Sequence, residues 1–295
     1  MNNNITHTNI DRAVELFKGL DVSENTRRDY AKRIDMFIRF VDENSMHTDI
    51  LLEFKKKLAD KALSVSSKNK YLTAAKMCLS EMYRKHMIPI DVVTNVRCFR
   101  QDRGHHVSGV NQAQIEQIES HLRNLPNGLK TDRIRAIYCL LAYQGLRQIE
   151  VTRLTVEDID LERKTAYVRG KGRDDKELVY LHPATVGVIR SYLDYTQHKA
   201  GALFYSLGHS KQAHLSTMTI NLEMRSIFRA CGIQRRVHGL RHYYITTVLG
   251  VMGVREAQKL SRHRGLDMLM VYDDEVATKR LSERVFDRIG KVNFR

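Results

Sequence analysis

His238-Gly-Leu-Arg241-His242-Tyr243-Tyr244, followed by Leu249-Gly250, Ser261-Arg262-His263-Arg264-Gly265 and Val271-Tyr272-Asp273, is the stretch around which the rest of the chain is organised. His238 and Arg241 are three residues apart, so on a helix they share a face. His263 and Tyr272 are nine apart, and nine steps of roughly 100° put them on opposite sides of an unbroken helix. If both serve one site, the chain must break between them, and Gly265 is the residue expected to make that break. A further turn is expected at Leu249-Gly250. The stretch therefore reads as three short helical pieces folded about a cluster of Arg, His, His and Tyr. Such a cluster suits a phosphodiester better than a carbonyl. Paired cations can clamp the oxygens of a phosphoryl transition state. A phenol of pKa about 10 needs that clamp and a base before it can attack.

Outward from this stretch, charge points the same way. The 295 residues carry 49 Lys and Arg against 34 Asp and Glu, a net charge of +15 and a pI near 9.7. Such a surplus fits a polyanionic partner, most often nucleic acid. Basic residues are in excess on both sides of residue 100, so both halves are candidates for contact with it. The cysteines, Cys78, Cys98, Cys139 and Cys231, are scattered and include no Cys-x-x-Cys pair, which suggests neither a disulfide framework nor a zinc site. The start, Met1-Asn-Asn-Asn-Ile-Thr, lacks the pattern of a signal peptide, and the run Ala136 to Tyr143 is short enough to be a core helix. A cytoplasmic protein with no membrane partner is expected.

Residues 10 to 96 show helical periodicity and little strand pattern. Ile10 to Leu20 reads as a short helix, and Ser23 opens a second in which Tyr30, Ile34, Phe37, Ile38 and Val41 form one apolar stripe. Leu51 to Lys61 is a third. Ser66-Ser67-Lys68 opens a fourth, with Tyr71, Leu72, Ala75, Leu79 and Met82 inward and Lys68, Lys70, Lys76 and Arg84 outward. The basic side is a plausible phosphate-contacting surface. Residues 97 to 110, with three arginines and two glycines, read as a basic linker.

From 111 to 295 a second domain is expected. A helix runs from Asn111 to Leu122, and another from Arg133 to Gln144 is closed by Gly145. Gly145-Leu146-Arg147-Gln148-Ile149-Glu150 follows, with Glu150 spaced to hold Arg147. Three strands are expected at Thr155 to Leu161, Thr165 to Arg169 and Glu177 to Leu181, the last two separated by a glycine-flanked tip that carries Lys171. Helices resume at Pro183 to Tyr195 and Thr217 to Ala230.

Arg147, Lys171, His238-Gly-Leu-Arg241-His242, His263 and Tyr272, in that order, resemble the tyrosine recombinase (phage integrase) family, with Xer-type members resembled over roughly residues 10 to 290. The resemblance implies a mainly α chain with a small antiparallel β-sheet in its second domain, its two domains forming a C-shaped clamp on DNA. It implies catalysis without a metal or other cofactor. Tyr272 would attack the scissile phosphate and form a 3′-phosphotyrosine, Arg147 and Arg241 would clamp the phosphate oxygens, and Lys171 would protonate the leaving 5′-oxygen. His238 would assist proton transfer, and His263 would hydrogen-bond the phosphate. The implied partners are double-stranded DNA with paired recombination sites and further copies of the chain, as a tetramer. Other readings of the same residues are a tyrosine-type topoisomerase and a DNA-binding protein that has lost catalysis. Two features depart from the family pattern. Ser261-Arg262-His263 stands where Leu-Gly-His is usual, which is expected to add a cation beside the phosphate or on the DNA backbone. Ile88-Pro-Ile-Asp replaces the common Asn-Pro before the linker. The segment from Asp273 to Arg295 has the character of a tail that docks on a neighbouring subunit or caps its own.

Overall fold

The computed structural model describes residues 15–88, 91–93, 95–101, 109–170, 175–206, 214–262, 265, 266 and 269. The chain divides into two compact units, Met1–Arg103 and Gly104–Arg295.

In the first unit, α1 (15–18) is followed by α2 (Glu24–Asn44), α3 (Ile50–Ala59) and α4 (Val65–Arg84). Serines start two of these. The Thr26 amide donates to Ser23 Oγ at 3.3 Å and the Ser67 amide to Ser64 Oγ at 3.2 Å, satisfying donors that a helix start leaves open. The expected stripe on α2 buries Ile34, Phe37, Ile38 and Val41, and adds Phe40. Phe54 of α3 is fully buried between Phe37 and Phe40, at centroid distances of 5.0 and 5.5 Å. Leu72, Ala75, Leu79 and Met82 of α4 complete this core. Three arginines of α2 are engaged within their own helix: Arg27 and Arg28 with Glu24, both at 3.2 Å, and Arg39 with Asp35 at 3.0 Å. After the helices, Phe99 is strapped back onto α4. Its amide donates to Asn69 Oδ1 at 2.8 Å, Asn69 Nδ2 donates to its carbonyl at 3.0 Å, and Lys55 Nζ lies 5.2 Å from its ring centroid.

The second unit opens with α5 (Gln112–Asn124), capped reciprocally by Asn111 and Gln114. Its centre is α6 (Leu129–Ala142), which is buried on nearly every side, with Ile137, Leu140 and Leu141 inward, against α8 (Pro183–Thr196). Short α7 (Gln148–Arg153) leads to a three-stranded antiparallel sheet, β1 (Ile159–Asp160), β2 (Thr165–Arg169) and β3 (Lys176–Tyr180), in that order across the sheet. Ala166 pairs with Val179 on the buried face, while Tyr167 pairs with Leu178 on the exposed one. The first expected strand is corrected here: Val156–Asp158 forms a 3-10 turn, leaving only two residues of strand. Asp158 is the reason. Its carboxylate accepts the Thr155 amide at 3.0 Å and is also bound by Lys176, which favours a turn over an extended ladder.

Helix α9 (Thr217–Ala230) packs on α5, α6 and α7, and α10 (His238–Val251) and α11 (Val254–Ser261) follow. The turn expected at Leu249-Gly250 is not there. The helix runs through both residues and reverses at Met252-Gly253, because Leu249 and Ile245 pack with Ala257 and Leu269 in a small separate core. All four cysteines are free, and burial pushes the thiols of Cys78 and Cys139 up to about 12. Among the described residues no helix is long and apolar enough to cross a membrane.

Candidate active site

The site is built around the turn that ends α6. The Tyr143 amide donates to Cys139 O at 2.8 Å and the Leu146 amide to Leu140 O at 3.0 Å, a helix terminus closed by Gly145 at φ +58°. A Cβ on Gly145 would fall 2.2 Å from Cδ1 of Tyr244, so glycine is required by space as well as by backbone angle. The chain then extends at Arg147, φ −76° and ψ 149°, which stands immediately before α7 and not within it. The expected pair still forms: Arg147 Nη1 donates to Glu150 Oε1 at 2.7 Å and the Arg147 amide to Glu150 Oε2 at 2.8 Å. Glu150 is 1 % exposed at its side chain and Arg147 29 %, so the pair points its cationic end outward.

Arg241 comes from the first turns of α10 and is buried. Its guanidinium donates to the carbonyl of Gly145 and, at 2.7 Å, to that of Ser261, which joins the end of α6 to the end of α11. His238 is the first residue of the same helix and is exposed. The three-residue spacing thus sets two residues on one helix at very different depths. The start of the unit is tied to this helix as well. The Val110 amide donates to Gly239 O at 3.3 Å, and a Cβ on Gly109 would lie 2.4 Å from Nδ1 of His242.

The structure corrects one arm of the expectation for Arg262, that of a cation laid on the DNA backbone. Its side chain is 7 % exposed and turns inward, donating to Glu150 Oε2 at 3.2 Å and to the carbonyls of Gln144 and Gly145, both at 3.4 Å. It is not laid out as an extra cation on a DNA backbone, because the buried Glu150 carboxylate draws it in. Gly265 lies in a bend beyond α11, where a break was expected, but it does not itself end that helix. Arg262 does so, in the left-handed conformation at φ +55°.

Electrostatics follow from this packing. Burial works to raise the Glu150 pKa, but the charge of Arg262 and the hydrogen bonds and charge of Arg147 outweigh it, holding the carboxyl below its ordinary range. Burial lowers the Arg262 pKa against the opposing pull of Glu150. The phenol of Tyr244, beside the same cations, is pushed up by burial, which the charges of Arg262 and Arg241 only partly offset. It therefore stays protonated. The other neighbouring phenol, Tyr243, donates to Gln112 Oε1 at 2.6 Å.

Of the six expected site residues, Arg147, His238 and Arg241 are described, and Lys171, His263 and Tyr272 lie outside the described residues. A contact network joins Arg147 and Arg241: both connect to Arg262, Arg147 through Glu150 and Arg241 through the Gly145 carbonyl. Gly170, which immediately precedes Lys171 in sequence, accepts a 3.3 Å bond from Arg153 at the end of α7, so that end of β2 is held beside the helix that follows Arg147. Sequence reasoning did not find the Gly145 carbonyl as an acceptor common to two guanidiniums. A backbone atom leaves no residue-type signal.

The model of the phage integrase family matches residues 110–278, the part of the chain that holds this network. This chain belongs to that family, the tyrosine site-specific recombinases. The recombinase is 29 % identical over 294 residues to the tyrosine recombinase slr0733 of Synechocystis sp., covering 92 % of this chain and 93 % of that one. It is 30 % identical over 160 residues to the tyrosine recombinase XerA of Thermococcus kodakarensis, covering 53 % of this chain and 55 % of the relative. Among solved structures, the recombinase fold is similar to the XerH site-specific recombinase bound to palindromic difH substrate in a post-cleavage complex. The TM-score is 0.73 at 16 % identity, with 97 % of this chain and 90 % of that one covered. It is also similar to a lambda integrase (75–356) dimer bound to a COC′ core site, with a TM-score of 0.70 at 15 % identity over 91 % and 95 % of the two chains.

Proposed function

We propose that this recombinase cleaves and rejoins duplex DNA through a 3′-phosphotyrosine on Tyr272, in the roles that the family resemblance assigns. Tyr272 Oη attacks the scissile phosphorus while the bond from phosphorus to the 5′-oxygen breaks. His238 assists removal of the phenolic proton, and Lys171 delivers a proton to the leaving 5′-oxygen. Arg147 and Arg241 clamp the non-bridging oxygens, and His263 adds a hydrogen bond to the phosphate. The new ester conserves the energy of the old one, so a 5′-hydroxyl from a partner duplex reverses the step and exchanges strands. In this reading residues 10–96 are a core-binding domain, 97–110 a basic linker and 111–295 the catalytic domain. The two domains clamp the duplex, and four copies act together on paired sites.

The observation that carries the reading is the network around Gly145. It fixes Arg147 and Arg241 through rigid acceptors before any phosphate arrives, and electrostatic stabilisation of phosphoryl transfer depends on such preorganisation. Matches to DNA-bound recombinases support it.

The test is a suicide-substrate assay with nicked duplexes taken from the protein's own genomic neighbourhood, in EDTA, read on a denaturing gel. A covalent adduct in the wild type that disappears in Tyr272→Phe is expected. No adduct despite tight, salt-sensitive binding would favour a DNA-binding protein without catalysis. An adduct accompanied by relaxation of supercoiled DNA, but with no exchange between two sites, would favour a topoisomerase.

A further inference from the structure

We infer that Arg262 is a positioning residue of the phosphate clamp: it holds Glu150 and the Gly145 turn so that Arg147 faces the phosphate, and does not itself contact DNA. The inference rests on the reading of Arg147 and Arg241 as that clamp. Three observations carry it.

The first is the backbone. Arg262 caps α11 at φ +55°, ψ 39°, a conformation that glycine adopts at least cost. Chain reversal alone therefore gives no reason for an arginine. The second is where that side chain spends its donors. Nη1 reaches the carbonyls of Leu260 at 3.3 Å and Gln144 at 3.4 Å, while Nη2 reaches that of Gly145 at 3.4 Å and Glu150 Oε2 at 3.2 Å. Its buried Nε has no hydrogen-bond partner among the described residues. These contacts engage both terminal nitrogens with the Glu150 carboxylate and with three main-chain carbonyls inside the protein.

The third is the division of charge. Glu150 gives Oε1 to the Arg147 guanidinium, and Oε2 to the Arg147 amide and to Arg262. One carboxylate faces two guanidiniums, so the trio keeps a net positive charge. Arg147, 29 % exposed, is the member that looks outward. The Glu150 carboxylate repels a bound phosphate, and with Arg147 alone the pair would carry no net charge to set against it. Arg262 offsets the repulsion from behind, and ties the Gly145 carbonyl, which Arg241 also uses, to the same scaffold.

The test uses full-length protein and nicked suicide duplexes. It measures the single-turnover rate of adduct formation at saturating DNA and, separately, DNA affinity across a range of salt. Arg262→Gly removes the side chain and suits the left-handed backbone. It is expected to slow adduct formation by about 10- to 100-fold, the scale of a small misplacement of a catalytic group, with affinity and salt dependence as in the wild type. Arg262→Lys, which keeps the charge but not the fork, is expected to recover part of the rate. An unchanged rate in Arg262→Gly would overturn the inference. So would weaker binding with a salt slope reduced by about 1, the mark of a direct phosphate contact. If Arg262→Gly does not fold, Arg262→Lys decides on the same two readouts: slowed cleavage with unchanged affinity supports the role, and wild-type cleavage overturns it. A wild-type chain that forms no adduct on any duplex would overturn the clamp reading itself, a different result from a wild-type adduct that Arg262→Gly matches.

Discussion

The two units each contain an arginine and a glutamate three residues apart and in contact. In the first unit, Arg84 grips Glu81 through Nε at 3.0 Å and Nη2 at 2.6 Å. In the second, Arg147 bonds Glu150 at 2.7 Å. By distance the first pair is the better made. Both glutamates are buried, 9 % exposed at Glu81 and 1 % at Glu150, but the Arg84 side chain is 60 % exposed against 29 % for Arg147, and Glu150 serves three separate groups. What separates a decorative ion pair from a structural one is therefore how many other elements lose a partner when it breaks. Spacing in the sequence does not tell them apart.

Four experiments sharpen or break this contrast. The largest effect is expected from Glu150→Ala, which leaves two guanidiniums facing one another at a buried site. Breaking such a buried pair costs about 3–5 kcal/mol, to be read from the midpoint of chemical denaturation. A loss no greater than that of Glu81→Ala would erase the distinction. Next is Arg147→Ala. Loss of one preorganised phosphate ligand is expected to lower the single-turnover adduct rate by about 10²–10³-fold, while Arg84→Ala leaves that rate as it was. Equal effects from the two would mean that the network around Gly145 is not the clamp.

The third concerns acid. Both glutamates have pKa values held down in the folded state, Glu81 by its hydrogen bond to Arg84 and Glu150 by Arg262 and Arg147 against the effect of its own burial. A lowered carboxyl pKa contributes stability that is fully present above the unfolded value, about 4.3, and is lost as pH falls through the folded value. Stability should thus decline below about pH 4 in the wild type. Glu150→Gln and Glu81→Gln should each flatten that acid limb, as followed by thermal melts between pH 3 and 6. The smallest effect is that of Arg84→Ala on stability. Its exposed guanidinium is screened by solvent, so the denaturation midpoint should fall only slightly, by what Arg84 contributes to holding Glu81 ionised. A clear drop would show that exposure is a poor guide to the pair's weight.

Much of this arrangement is legible in the sequence where local chemistry decides. The stripe of Ile34, Phe37, Ile38 and Val41 announces α2, Ser23 marks its start, and Thr217 to Ala230 is helix over the residues that periodicity indicates. The Arg147–Glu150 contact is readable from spacing, although Arg147 lies ahead of the helix in extended backbone. Legibility fails where another residue decides. Gly250 is carried through α10 by the packing of Leu249 on Ala257 and Leu269, and glycine's own preference is overruled. Val156 sits in a run that looks like strand, yet Asp158 folds the chain into a turn. Arg262 reads as a cation beside the phosphate or on the DNA backbone until Glu150, more than a hundred positions earlier, is placed beside it. For Gly250 and Arg262 the deciding partners lie far along the chain, Leu269 and Glu150, while at Val156 the decider is local, the Asp158 carboxylate accepting the amide of Thr155 three residues earlier.

The carbonyl of Gly145 receives both Arg241 and Arg262 and belongs to no side chain. Such an acceptor cannot be lost by a codon change that leaves the turn intact, so mutational scanning passes over it and drift cannot easily remove it. Relatives whose arginines differ can inherit the same anchor so long as they keep a backbone that reverses there. Innovation around this centre is thereby channelled into the donors, with the receiving atom held constant by the shape of the main chain.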